Sequence, residues 1–469
     1  MKSGHNLYMA NENKRSAFSK ATTFVKLTGI PGPRGYLYFK YVRLFQNNIL
    51  HAFTKVNKEY GEIASFPWPM NSVIVYSPRL IKEILVDNNR SYIKGEQIEE
   101  IRAVVGNGLA TNNNHDSWLK SRKLMAREFN KKSVKKFYDI FSKECHKSIS
   151  QISSQKISQL DICEIMKLLT FNIATATTLG KKLSSEDAVK VNEAVHYTSI
   201  VTYERIFQFF PIPYWVPTLK NLNFNMHFKN LNSIVKGIIS EEKNNKNASG
   251  ESILEKLVHA KDEETGFSFK ETELRDEILT LLIAGHETSA HTLTWAFGLL
   301  AKHQEIQQKL YLQIKDLTDP EEITNHPYLI QVIKETMRLY PAFPVLSRKA
   351  NQNLNLGKYR LDKETNVVIP IYVTQRSTEY WDEPSTFNPD RFEGESGEKL
   401  DKSYQYLPFS RGPRRCIAEL FAMDEMCLII KYFITELQFQ LNGELPEDIA
   451  QVSLKPKGGM RLSLKTRVK

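Results

Sequence analysis

The segment Phe409-Ser410-Arg411-Gly412-Pro413-Arg414-Arg415-Cys416-Ile417-Ala418 sets one cysteine among three arginines, just ahead of an apolar, helix-spaced stretch over 417–436. A thiol at a helix N-terminus meets unpaired backbone N–H groups and the positive end of the helix dipole. Arg414 and Arg415 add positive charge, and such a setting lowers a thiol pKa and favours thiolate. Thiolate ligates a soft metal or attacks an electrophile. An inert cysteine buried ahead of a core helix is the other reading of the same residues.

Three further groupings carry chemistry or hold it in place. Ala284-Gly285-His286-Glu287-Thr288-Ser289 puts a carboxylate beside a hydroxyl inside a long apolar helix. Polar groups there need a reason, and Gly285 thins the helix so that something flat can approach. Glu335 and Arg338, three apart, share a helical face. Trp118 and Arg122, four apart, also share one, which suits a half-buried helix with a snorkelling arginine as well as it suits a binding site.

Taken together, these groupings resemble the cytochrome P450 family, the haem-thiolate monooxygenases. F-x-x-G-x-R-x-C-x-A, from Phe409 through Gly412, Arg414 and Cys416 to Ala418, is similar to that family's haem-binding loop, with Ala418 where glycine is more usual. A-G-x-E-T-S resembles its oxygen-activating helix, E-x-x-R its clamp helix and W-x-x-x-R its propionate-binding helix. The resemblance runs from the Pro31-Gly32-Pro33 turn to the C-terminus, and the four motifs stand in the family's order. It implies that Cys416 is the proximal ligand to the iron of haem b. It implies propionate contacts from Arg414, Trp118, Arg122, Arg348 and His115, and close approach of haem to Phe409, Gly412, Ala284 and Gly285. Glu287 and Thr288 would deliver protons to iron-bound dioxygen. Glu335, Arg338 and Arg391 (in Phe387-Asn388-Pro389-Asp390-Arg391-Phe392) would form a structural clamp. One departure is Gln375, where the family usually has histidine.

The implied reaction is monooxygenation with O2 as co-substrate and electrons from NAD(P)H through a separate ferredoxin, flavodoxin or flavoprotein reductase, because no flavin or iron–sulfur sequence follows the cysteine loop before Lys469. Ala284, Gly285, Thr288, the loop 101–109 and the run 342–346 would wall the substrate pocket. These walls are apolar, so a lipophilic substrate is expected: a fatty acid, terpenoid, sterol or aromatic. Peroxygenase or isomerase chemistry, or a non-enzymatic haem-binding sensor, are the alternatives. Arg411, Arg414 and Arg415 would give the thiolate face a basic surface suited to an acidic redox partner.

The elements that must position these residues are mainly helical. Three-to-four-residue apolar spacing predicts helices near 116–130, 133–154, 158–180, 185–208, 225–246, 252–261, 270–302, 303–317 and 326–340. Short β-type runs fall at 62–66, 72–76, 358–361, 365–369 and 438–441, and 241–252 reads as a solvated loop. The fold class is mainly α with a minor β part. By resemblance it is the cytochrome P450 fold: a triangular helical body with haem between a long central helix and the cysteine-loop helix. A polar leader over 1–29 precedes one domain over 30–469.

Composition sets the bounds. Hydrophobic residues are 41% and charged residues 25%, which excludes wholesale disorder, and a mean hydropathy of −0.40 argues against a polytopic membrane protein. The net charge of +11 brings no nucleic-acid motif with it. Four scattered cysteines without a C-x-x-C pair suit a reducing compartment rather than a disulfide framework or zinc ribbon. A monomeric cytoplasmic protein is expected, without a transmembrane span and with peripheral membrane contact left to the N-terminal region.

Overall fold

The structure is a computed structural model that describes residues 27, 29–67, 70–154, 159–180, 183, 185–206, 208, 212–245 and 251–467. The expected leader lies outside these apart from Leu27 and Gly29.

Two amphipathic helices, α1 (Tyr36–Asn47) and α2 (Ile49–Tyr60), precede the hairpin of β1 (Ile63–Phe66) and β2 (Ser72–Val75). After α3 (Pro78–Lys82), β3 (Tyr92–Lys94) and α4 (Gln97–Val105), the chain turns helical: α5 (His115–Ala126), α6 (Lys131–Lys135) and α7 (Tyr138–Ser154). A short β4 (Gln159–Asp161) leads into α8 (Ile162–Leu179), α9 (Ser185–Ile206), α10 (Leu219–Asn244), α11 (Ile253–His259) and the 32-residue α12 (Glu271–Lys302). Then come α13 (Gln304–Ile314), α14 (Pro320–Thr324) and α15 (Pro327–Leu339). The remainder alternates: β5 (Leu346–Ala350), β6 (Leu354–Leu356), β7 (Tyr359–Leu361), β8 (Asn366–Ile369), α16 (Ile371–Thr374), α17 (Gly394–Lys402), α18 (Glu419–Glu436), β9 (Leu437–Gln440), β10 (Asp448–Ala450), β11 (Leu454–Pro456) and β12 (Arg461–Thr466). The mainly helical class with small sheets holds.

α12 is the axis of the body. Its sequence is apolar on nearly every face, so it is buried on nearly every face. It packs on α8, α15, α18 and β9, and one core joins all of them. Among the described residues α8 alone is long and apolar enough to cross a membrane, a length the sequence reading did not assign to any stretch. About two thirds of it, 67%, is buried against this core. A mixed sheet of order β1-β2-β8-β5-β3, with β2 and β8 parallel, caps one end. The sheet has its own two cores, one per face.

Three local expectations change. The 241–252 loop is shorter than composition suggested. α10 continues through Asn244 with Glu242 buried, and Ser252 with Glu255 forms a capping box that starts α11. The segment 101–109, read as a loop, contains the last turns of α4. The stretch 158–180 opens with β4 before its helix, because Asp161 caps α8 by accepting from Cys163 N–H.

Candidate active site

A cavity of about 700 Å³ opens between α12, the 408–418 loop, α4–α5 and the sheet. Its floor is the cysteine loop. Gly412 there has φ +76° and lies so close to the preceding chain that a Cβ would fall 2.0 Å from the Leu85 carbonyl oxygen. No other residue fits without moving backbone. The loop closes when Cys416 N–H donates to the Phe409 carbonyl at 2.9 Å. Phe409 and Cys416 both line the cavity, and the thiol is open to it. α18 begins three residues on, at Glu419, so the loop rather than the helix itself carries the cysteine.

The free thiol is not acidified. Burial pushes Cys416 up to about 11, and the opposing pull of the Ala418 N–H, Arg122 and Arg415 is smaller. This corrects the expectation from local charge alone: losing bulk water costs the thiolate more than nearby dipoles and arginines return. A bound soft cation would favour the thiolate here. The other three cysteines are buried core residues.

Four cations border the same cavity: Lys94, Arg122, Arg348 and Arg414. The arginines donate only to carbonyls, Arg348 to Ser347 at 2.8 Å, Arg414 to Asn112 at 2.7 Å and Arg122 to Arg415 at 3.0 Å. Among the described residues none of the four has a carboxylate partner. Burial lowers all four, taking Arg348 and Arg414 to about 10 and Lys94 well below an ordinary lysine; repulsion within the group adds to it for Lys94, Arg348 and Arg414, whereas at Arg122 Cys416 opposes and Arg415 adds. Arg348 is buried and the other three are partly buried, where charge is normally paired, so four cations without carboxylates round one rim suit an acidic group. Trp118, 2% exposed, lies under two of them, with the Arg414 guanidinium 4.3 Å and that of Arg122 5.6 Å from its ring centre. A thiol open to the cavity and a cradle of cations without carboxylate partners together fit haem b with its two propionates.

Lys94 was not picked out from sequence. It sits on a three-residue strand, and its partner Arg348 faces it only across the β3–β5 register, so no local pattern signals it. His115 moves the other way. It starts α5, is not among the residues lining the cavity, and lies tilted against the Trp118 ring at 5.7 Å.

Above the thiol, α12 presents Ala284, Gly285, Glu287 and Thr288 to the cavity. Any side chain at 285 would enter open space, so glycine keeps the cavity wide there. The Thr288 hydroxyl donates to the Ala284 carbonyl at 2.7 Å. This back-bond loosens the helix locally and leaves the hydroxyl oxygen free to accept. Burial raises the Glu287 carboxyl, and Lys167 and Lys455 pull it part of the way back. It therefore keeps a proton more readily than an exposed carboxylate. The expected apolar walls are also in place: Ile101, Val105 and Leu109, and 342–346.

Beneath the cavity lies a buried clamp. Glu335 and Arg338 are fully inaccessible and meet through two hydrogen bonds of 2.7 and 2.8 Å. Arg338 also donates to the carbonyls of Gln375, Pro384 and Thr386. Arg391 Nε stands 3.4 Å from Glu335 Oε1. Gln375 uses its whole amide: Nε2 donates to the Met337 and Arg338 carbonyls, and Oε1 accepts from Leu407 N–H at 2.8 Å. It ties the end of α15 to the irregular segment leading into the cysteine loop.

Of the arginines expected on the thiolate face, Arg414 turns inward, Arg415 pairs with Glu419, and Arg411 donates to the Asp401 carbonyl. Arg415 remains exposed beside Glu419, and further exposed positive charge lies on Lys131, Lys132 and Lys136 and on Arg127, which stands 4.0 Å from Asp262. Arg127, Lys131, Lys132 and Lys136 flank Phe129 and Phe137, whose rings pack edge-on against Phe421 of α18, five residues after the cysteine.

Comparison with known proteins agrees with this geometry. Residues 30–463 match the family model described as Cytochrome P450. The Arabidopsis thaliana protein LUTEIN DEFICIENT 5, chloroplastic, is 27% identical over 87% of this chain and 73% of its own length. Cyclooctatin synthase of Streptomyces melanosporofaciens is 25% identical over 81% and 85%, and human cytochrome P450 4V2 is 25% identical over 85% and 81%. With a family model spanning the thiol loop, the cation cradle and the central helix alike, this chain belongs to the cytochrome P450 family.

Proposed function

We propose that this protein inserts one atom of dioxygen into a lipophilic substrate: R–H + O2 + 2 e− + 2 H+ gives R–OH + H2O. The observation that carries the proposal is the single cavity in which the Cys416 thiol, four unpaired cations and the Glu287–Thr288 pair meet. Cys416 would hold the iron of haem b, and Lys94, Arg122, Arg348 and Arg414 its propionates. Bound haem supplies the oxidising chemistry; the protein supplies position, protons and exclusion of water. The loop fixes Cys416 by the Gly412 turn and the Phe409 carbonyl. Glu287, raised by burial, holds a proton beside the cavity, and the Thr288 hydroxyl can receive it and pass it inward once its bond to Ala284 is exchanged. The apolar walls favour an apolar substrate body.

Electrons would come from a separate ferredoxin, flavodoxin or flavoprotein reductase. The exposed cluster of Arg127, Lys131, Lys132 and Lys136 supports docking of an acidic partner near the cysteine loop. Labelled dioxygen tests the reaction. Holoenzyme with a reductase system and NADPH is offered a panel of terpenoids, sterols, fatty acids and aromatics. Products that carry one labelled atom, form with the reductase and do not form with peroxide alone support the reading. Products formed equally with peroxide alone favour peroxygenase chemistry instead.

A further inference from the structure

At Leu109 and Ala110 the cavity wall is irregular chain, whose backbone N–H groups an apolar ligand cannot satisfy. Two carboxylates of α12 meet them. Glu277, 1% exposed, accepts from Leu109 N–H at 2.8 Å, and Asp276 accepts from Asn107 N–H at 2.7 Å. Neither carboxylate is among the residues lining the cavity, so both act on it through the loop. The sequence makes room for this approach. A Cβ at Gly106 would collide with the Asp276 carboxylate, and one at Gly108 with the Thr280 hydroxyl and the Asp276 carbonyl. Glycine at both positions lets the loop lie this close to α12.

The loop passes its position on. The Thr111 hydroxyl donates to the Gly106 carbonyl at 2.6 Å, and the N–H groups of Thr111 and Asn112 both donate to the Gly108 carbonyl, at 3.0 and 2.9 Å. These bonds knit residues 106–112 into one unit. At its far end the Asn112 carbonyl accepts from Arg414 of the cation cradle. We infer that Glu277, with Asp276 in support, is a positioning residue for the substrate: it tethers the 106–112 loop to α12 and so fixes the apolar wall at Leu109 and Ala110 against which the substrate body packs. This rests on the monooxygenase reading of the cavity and adds the residue that holds its shape. Glu277 carries the larger share, because the Leu109 bond is buried, whereas the Asn107 bond is exposed and its N–H can turn to water.

Titration of the holoenzyme with imidazole and with 1-dodecylimidazole, followed by the Soret shift, tests this. Both azoles bind iron through a ring nitrogen, and only the second lays an alkyl chain along the walls. The imidazole dissociation constant divided by that of 1-dodecylimidazole therefore reads the wall. Glu277→Leu should cut this ratio on the order of 10-fold, the worth of a hydrogen bond to a charged group, with the imidazole constant unchanged. Glu277→Gln, whose amide oxygen still accepts from Leu109 N–H, should keep it. Amide hydrogen exchange over 106–112 should quicken in Glu277→Leu and not in Glu277→Gln. Asp276→Ala should cut the ratio about 3-fold, which gives a second variant should Glu277→Leu fold poorly by circular dichroism. A ratio unchanged in both Glu277→Leu and Asp276→Ala, an imidazole constant weakened as much as the dodecylimidazole constant, or a Glu277→Gln variant as impaired as Glu277→Leu would each overturn the proposal. A parent without a Soret shift for either azole would instead count against the haem reading, and quickened exchange over 106–112 in Glu277→Leu alone would still support the tether.

Discussion

Glu335→Gln removes one negative charge from a site closed to solvent, where Glu335 and Arg338 are both 0% exposed. Arg338 then keeps its charge, loses its ion pair, and faces an amide N–H where a carboxylate oxygen stood. Breaking one partner of a buried pair costs about 3–5 kcal/mol, against a total stability of about 5–15 kcal/mol for a typical domain. Buried pairs can often be replaced together by apolar residues at little cost. Here the geometry predicts otherwise. Arg338 also satisfies the carbonyls of Gln375, Pro384 and Thr386, and each carbonyl left unmet costs about 1–3 kcal/mol. Glu335→Leu combined with Arg338→Met should therefore remain at least about 3 kcal/mol less stable than the parent. Urea unfolding followed by circular dichroism, with the haem content of each preparation, measures both variants. A double variant as stable as the parent would refute the claim that Arg338 is held by carbonyls as much as by Glu335.

Three further outcomes follow from the geometry. Lys94→Met and Arg348→Met should each lower haem retention during gel filtration, whereas Lys94→Arg, which keeps the charge, should not. Reversing Lys131 and Lys132 to glutamate should slow reduction by an acidic partner several-fold at low salt and leave dithionite reduction unchanged; the difference should shrink as salt screens the charges. Glu425 is pushed up to about 8 by burial, the Ser289 hydroxyl opposing, so the folded state binds its proton more tightly than the unfolded chain does. Its contribution is full below the unfolded pKa of 4.5 and is lost as pH rises toward 8. Glu425→Gln should therefore flatten the alkaline side of the stability–pH curve, read by thermal melts between about pH 5 and pH 8; an unchanged slope would contradict the assignment.

What was legible in the sequence was local. Cys416, Gly412 and Phe409 form one contiguous loop, Glu287 and Thr288 are neighbours, and Glu335 and Arg338 lie one helical turn apart. Short spacing announced each of these. Lys94 gave no such signal, because its meaning comes from Arg348, Arg414 and Arg122 meeting it from three distant segments. Gln375 was visible as a departure, but its amide is explained only by Met337, Arg338 and Leu407 closing around it. Local charge misled in two places. The arginines beside Cys416 suggested an acidic thiol, and burial outweighs them. Arg411 and Arg415 suggested a free basic face, yet their guanidinium groups go to Asp401 and Glu419. The α1 helix, Tyr36–Asn47, carries an amphipathic pattern that the sequence reading passed over; its apolar face packs Tyr38, Tyr41 and Phe45 on Phe66.

The central claim is that Cys416 holds haem iron through thiolate at the floor of this cavity. The reduced carbonyl difference spectrum tests it most directly. The parent protein should show the red-shifted thiolate-type Soret band, and Cys416→Ser, if it retains haem through the cation cradle, should lose that band. A parent spectrum without the band, or a Cys416→Ser spectrum that keeps it, would contradict the account.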